Sequence, residues 1–209
     1  MNIIDSLKWR YATKKFDDTL KIEESKIDII KNAFNLTATS FGLQTINLIV
    51  ISNKNIRESL VEHSYFQKQV LEASHLLVIC IQSDISDTDI DNYFDNVKAI
   101  RNTSETILSP YRKDLKNNMK KMTMKERQQW SKNQAYIALG NLMTVCALEE
   151  IDSCPMEGFN PEAFDELLDL KSKNLNSVLL LPIGYRSKDD MFATFKKVRK
   201  QLNETIIEM

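Results

Sequence analysis

Three short stretches of the chain are almost continuously apolar: Ile46-Asn47-Leu48-Ile49-Val50-Ile51, His75-Leu76-Leu77-Val78-Ile79-Cys80-Ile81 and Ser177-Val178-Leu179-Leu180-Leu181-Pro182-Ile183. Their length and β-branched content predict strands, and the lack of strict alternation predicts a sheet covered on both faces. Between the first two, residues 56–63 and 67–73 predict helices. Upstream, Ile3, Ile4 and Leu7 mark a short amphipathic helix, and Ile27, Ile30, Ala33 and Phe34 recur at helical spacing over residues 23–36.

Residues 134–150 are apolar around nearly the whole helical circumference, which predicts a helix buried through the middle or forming a seam between two subunits. Residues 84–127 are polar and charged, with scattered aromatics and a break expected at Pro110, and predict a helical excursion outside the core. Asn160-Pro161-Glu162 opens another helix with a capping residue, a proline and an acid. The turn Ser153-Cys154-Pro155-Met156-Glu157-Gly158-Phe159 either reverses the chain between two helices or aims the N–H groups of Glu157 and Gly158 at something planar and electron-poor.

At 209 residues, 43% hydrophobic and 27% charged, the chain predicts one domain over residues 1–209, with no linker or repeat. No apolar run approaches the roughly 20 residues of a membrane span, and the first residues lack a signal-peptide shape. Together with three cysteines that cannot all pair, this predicts a cytoplasmic protein. A net charge of −1 excludes an overall nucleic-acid footprint, although Lys196, Lys197, Arg199 and Lys200 cluster in the tail. Four dispersed glycines cannot form a phosphate-binding glycine loop, so any phosphate must be held by side chains. Two isolated histidines make a metal site unexpected, and no nucleophile elbow supports hydrolysis.

Four separated stretches share one order: Arg10-Tyr11-Ala12-Thr13-Lys14; Ser40-Phe41-Gly42-Leu43-Gln44 before a strand; Pro155-Met156-Glu157-Gly158-Phe159 after a long helix; and Leu181-Pro182-Ile183-Gly184 with Lys197 and Arg199 downstream. This pattern resembles the FMN-dependent nitroreductase family across essentially the whole chain. The resemblance implies an α+β fold with a central, mostly antiparallel sheet flanked by helices. It also implies an intertwined homodimer that holds FMN at the interface.

Carried over by position, Arg10, Lys197 and Arg199 match the cations on the FMN phosphate, and Tyr11 and Ala12 belong to the same segment. Lys14 matches a cation beside the pyrimidine edge. Thr39, Ser40, Gly42 and Gln44 would come from the partner subunit, while Pro155, Met156, Glu157 and Gly158 would approach the flavin ring. Gln67 or Gln69 would replace a ring-binding asparagine or lysine, since Phe66 stands where that asparagine is common. Phe41 and Tyr111 would line the space for the acceptor.

The implied activity is ping-pong reduction of nitroaromatic or quinone-type acceptors, with NADH or NADPH as co-substrate. A dehalogenase-like or flavin-remodelling enzyme, or a non-catalytic flavin-binding dimer, would use the same cofactor site. The missing glycine loop supports side-chain phosphate binding independently, because Arg forks and Lys point charges are the suitable donors.

Overall fold

The computed structural model describes residues 2–209. Its sheet contains β1 (Ile46–Ile51), β2 (His75–Gln82), β3 (Asp152–Ser153) and β4 (Leu175–Gly184), in the spatial order β1-β2-β4-β3 and antiparallel throughout. The three predicted strands are present, and β3 adds a short fourth at the opening of the expected turn. β2 pairs on both sides, with Leu77 opposite Val50 and also opposite Leu181.

Because successive strand residues point to opposite faces, the apolar runs fill two cores. Leu77, Ile79, Ile81, Leu179, Leu181 and Ile183 meet one set of helices. These are α2 (Glu24–Asn35), through Ile27 and Ile30, and α7 (Met124–Leu148), through Ala135, Ala138, Leu142 and Cys146. Leu76, Val78, Cys80 and Leu180 face the second core, which contains Leu60 of α3 (Lys54–Val61), Val70 of α4 (Gln69–Glu72) and Phe164 of α8 (Pro161–Leu167).

The excursion differs from expectation. α5 (Asp87–Arg101) and α6 (Glu105–Lys121) enclose a third core of Ile85, Ile90, Phe94, Leu108, Leu115 and Met119. Pro110 lies within α6 and does not end it. A proline there removes one helical hydrogen bond, but Leu108, Leu115 and Met119 bury one face of the helix. Arg112 and Lys116 also pair with Asp91 across the hairpin.

α7 begins ten positions before the predicted start, at Met124, because Thr123 and Glu126 form a reciprocal capping box. Its 25 residues span about 37 Å. One face is buried, whereas Tyr136, Ile137 and Leu148 remain exposed on the other. α1 (Ile3–Trp9) packs on α7 at the other chain end. After β4 the chain makes a 3-10 turn (Met191–Thr194) and a short α9 (Leu202–Thr205) in an exposed tail.

Candidate functional site

α1 stops at Trp9 because Arg10 turns extended, with φ −68° and ψ 145°. The strap that follows runs beside the sheet: Ala12 bridges Ser153, Phe16 bridges Arg186, and the buried Thr13 hydroxyl donates to Asp152 at 3.4 Å. Asp190, buried after β4, ties this strap to the tail. Its carboxylate accepts from the Tyr11 hydroxyl at 2.8 Å, from the N–H groups of Lys14 and Lys15 at 2.9 and 3.2 Å, and from Phe192 N–H at 3.0 Å. Burial opposes ionisation of Asp190, but these donors outweigh it and hold the carboxyl below its ordinary range. Burial and the bond to Asp190 push the Tyr11 phenol up.

The strap and tail enclose a cavity of about 460 Å³. Arg10, Tyr11, Ala12 and Lys14 form one side, and Phe192, Phe195, Lys196, Lys197 and Arg199 form the other. Pro155 and Met143 of α7 complete it. Five of these residues are cations and none is an acid. Among the described residues none of the five makes an ion pair within 4 Å, and Arg10 Nε is buried without a partner. Burial first, then Arg199, lowers the Arg10 pKa. Burial first, then Arg10 and Arg199, lowers that of Lys197. Like charges gathered without counter-ions are unfavourable alone and favourable around a compact anion. A groove of similar size between α2 and β1 carries one cation, Lys31, and lacks this convergence.

Beyond β3, Cys154 N–H donates to Pro182 at 3.1 Å, and Met156 exchanges both backbone bonds with Leu180 at 2.9 and 3.0 Å. The expected turn is therefore an edge segment as far as Met156. That residue is buried, and both its backbone groups pair with Leu180. Glu157 and Gly158 differ, since neither N–H has an acceptor among the described residues. Two side chains brace them: Tyr136 Oη donates to Glu157 Oε1 at 2.5 Å, and Gln67 Nε2 donates to the Gly158 carbonyl at 2.8 Å. A Cβ on Gly158 would stand 3.0 Å from Gln67 Nε2. Gln67 thus supports the turn, and Gln69 is buried within α4.

Burial pushes the Cys154 thiol up, against the nearby Lys14, whose ammonium lies 3.8 Å from Sγ. The cysteine is buried, 1% exposed, in the second core.

Residues 39–44 lie elsewhere in the same chain. Ser40 N–H donates to Gln134 Oε1 at 2.8 Å, the Phe41 ring stacks on Trp130 at 6.2 Å, and Gln44 Nε2 donates to Asn35 O at 2.9 Å. Thr39 accepts from Gln44 N–H at 3.3 Å, and Gly42, with φ 73°, abuts Tyr93. Gln134 precedes the cavity residue Met143 by nine positions in α7, roughly 14 Å along its axis. Tyr111 sits edge-on to Phe94, 5.3 Å away in the third core. One chain therefore brings the cations together with Pro155 of the turn, while Met156, Glu157, Gly158, this loop and Tyr111 do not line that cavity.

The nitroreductase family model matches residues 7–185, most of the chain. The chain belongs to the nitroreductase family. It is 32% identical over 199 residues to a Bacillus subtilis protein provisionally named NAD(P)H nitroreductase YfkO, covering 90% of each chain. It is 26% identical over 221 residues to the oxygen-insensitive NAD(P)H nitroreductase of Salmonella typhimurium, covering 100% of both. A nitroreductase-type structure from Exiguobacterium sibiricum, solved in complex with FMN, superposes with a TM-score of 0.85 at 17% identity, covering 100% of this chain and 98% of that one. These comparisons agree with the nitroreductase-like, mixed helix-and-sheet fold.

For this nitroreductase-family chain, the residues missed from sequence are Asp190, Met143, Phe192 and Phe195. Asp190 carries no local motif, and its role depends on a backbone strap 175 residues away in the chain. The phenylalanines pack edge to face at 5.4 Å, and their exposure to the cavity follows from the tail's path.

Proposed function

We propose that this protein is an FMN-dependent NAD(P)H oxidoreductase that works as an intertwined homodimer and reduces nitroaromatic or quinone-type acceptors by a ping-pong mechanism. The observation that carries this reading is the convergence of Arg10, Lys197 and Arg199, with the orphaned Arg10 Nε, on a cavity without an acid. A flavin phosphate fits that need, because Arg forks and Lys point charges can replace a glycine loop. The names of the relatives as NAD(P)H nitroreductases and the FMN in the Exiguobacterium structure support it.

FMN held here would supply two-electron hydride chemistry between NAD(P)H and the acceptor. Arg10, Lys197 and Arg199 hold the phosphate, with Tyr11 and Ala12 forming the adjoining wall. Lys14 places positive charge at the pyrimidine edge, where electron density accumulates on reduction. The unpaired N–H groups of Glu157 and Gly158 would be available to bond the polar edge of the ring, and Pro155 would shield it from water.

Dimerisation is supported by three unpartnered features: the exposed face of α7 at Tyr136, Ile137 and Leu148, the open edge of β1, and a tail whose Val198 is 87% exposed. Each chain's Thr39, Ser40, Gly42 and Gln44 would then serve the partner's cavity, and Phe41 and Tyr111 would line the acceptor space. Anaerobic stopped-flow spectra test the reaction. NADH or NADPH should bleach the bound flavin, and a nitroaromatic or quinone should restore it in a separate step. A bound flavin that neither nicotinamide bleaches would refute the assignment.

A further inference from the structure

Arg186, two residues beyond β4, reaches back beneath the N-terminal strap. Its guanidinium carbon stands 4.2 Å from the Trp9 ring centroid and 4.6 Å from that of Tyr11. The edge of the guanidinium is engaged as well: Nε donates to the Asp152 carboxylate at 2.9 and 3.0 Å, while Nη2, 2.6 Å from Oδ1, lacks hydrogen-bond geometry. Asp152 is 3% exposed, belongs to β3 and also accepts the Arg186 backbone N–H at 2.8 Å. The cation is therefore fixed to the sheet at one edge and clasped by two rings on its faces.

Trp9 and Tyr11 are the sequence neighbours of Arg10, which lines the anion cavity. Arg10 itself makes no ion pair, and its Nε has no partner among the described residues. Its backbone carbonyl accepts from Lys197, and among the described residues its guanidinium has no hydrogen-bond partner. The flanking Trp9 and Tyr11 are held by Arg186, with Tyr11 also bonded to Asp190.

We propose that Arg186 is a positioning residue for the anion site: by locking Trp9 and Tyr11 it makes the strap present Arg10 to the cofactor's phosphate. The proposal rests on the flavin-phosphate reading above. Arginine suits this role because a planar guanidinium packs on two rings while its Nε–H bonds a carboxylate. A lysine ammonium keeps the charge and loses that combination. The Arg186 charge is already met by Asp152, so it acts through Arg10.

The test compares FMN with riboflavin, which lacks the phosphate, by fluorescence titration of the dimeric apoprotein. Wild type should prefer FMN. Arg10→Ala and Arg186→Lys should each cut that preference about tenfold, with riboflavin affinity held within about twofold. The double variant should be no weaker than Arg10→Ala alone. Equal loss of FMN and riboflavin binding in Arg186→Lys, an unchanged preference, or additive losses in the double variant would each overturn the proposal. If Arg10→Ala also leaves the preference intact, the phosphate reading itself falls. Loss in Arg10→Ala without loss in Arg186→Lys sinks only the role given to Arg186.

Discussion

The Lys197 ammonium donates to the backbone carbonyl of Arg10, joining positions 187 residues apart. This bond closes the anion cavity from both chain ends and leaves the Arg10 guanidinium free for a ligand. The proposed phosphate role sets the tail cations that line the cavity apart from other surface lysines. Arg199→Ala should weaken FMN retention about tenfold or more, as removal of one charge-assisted contact implies. Lys188→Ala, which removes an exposed lysine outside the cavity, should leave it unchanged. Equilibrium dialysis of the two variants checks this.

The pH dependence of cofactor affinity follows from Lys197. Its pKa is lowered from 10.5 by burial and then by Arg10 and Arg199. The cation is the binding form, so FMN affinity is full below that pKa and declines as pH rises through it, before an ordinary lysine would titrate. Below a pH of about 6 the phosphate dianion takes up a proton, becoming a monoanion, and affinity falls again. Riboflavin should show neither limb. Titrations from acid to alkaline pH with both ligands read the difference.

Asp190→Ala should cost about 2 kcal/mol of stability, because it removes an ionised acceptor shared by four donors, and should loosen the tail. The folded pKa of this carboxyl is depressed. Its contribution is therefore present above the unfolded value of 3.8 and lost as pH falls through the folded one. Urea unfolding should accordingly show a wild-type advantage over the variant at neutral pH that shrinks in strong acid.

Arg57 is 1% exposed and donates to the carbonyls of Leu71 and Ala73, each at 2.5 Å, with no acid partner among the described residues. Burial lowers its pKa. Arg57→Ala leaves the end of α4 uncapped and opens a cavity, and should cost roughly 3 kcal/mol. The denaturation midpoint measures it.

Much of the fold was visible in local pattern. The stretch from Ile46 to Ile51 is one whole strand, and the runs around Leu77 and Leu179 are buried on both faces as their continuous apolarity predicts. Where pattern failed, packing or capping decided: Pro110 is carried inside α6, and Thr123 with Glu126 starts α7 early in a polar stretch. The side chains on the cavity wall were legible only through the order of four motifs, since no local period links Arg10 to Lys197. Met156 pairs with Leu180, a strand contact that a turn-like sequence does not announce. Arg186 stood in no motif, yet its stacking between Trp9 and Tyr11 is set by the meeting of both chain ends.

The most direct measurement is flavin titration of the apoprotein, with mass determined in the same solution by analytical ultracentrifugation. The account predicts a dimer that binds one FMN per chain and holds it more tightly than riboflavin. A monomer that binds no flavin, or a dimer that does not distinguish FMN from riboflavin, would contradict it.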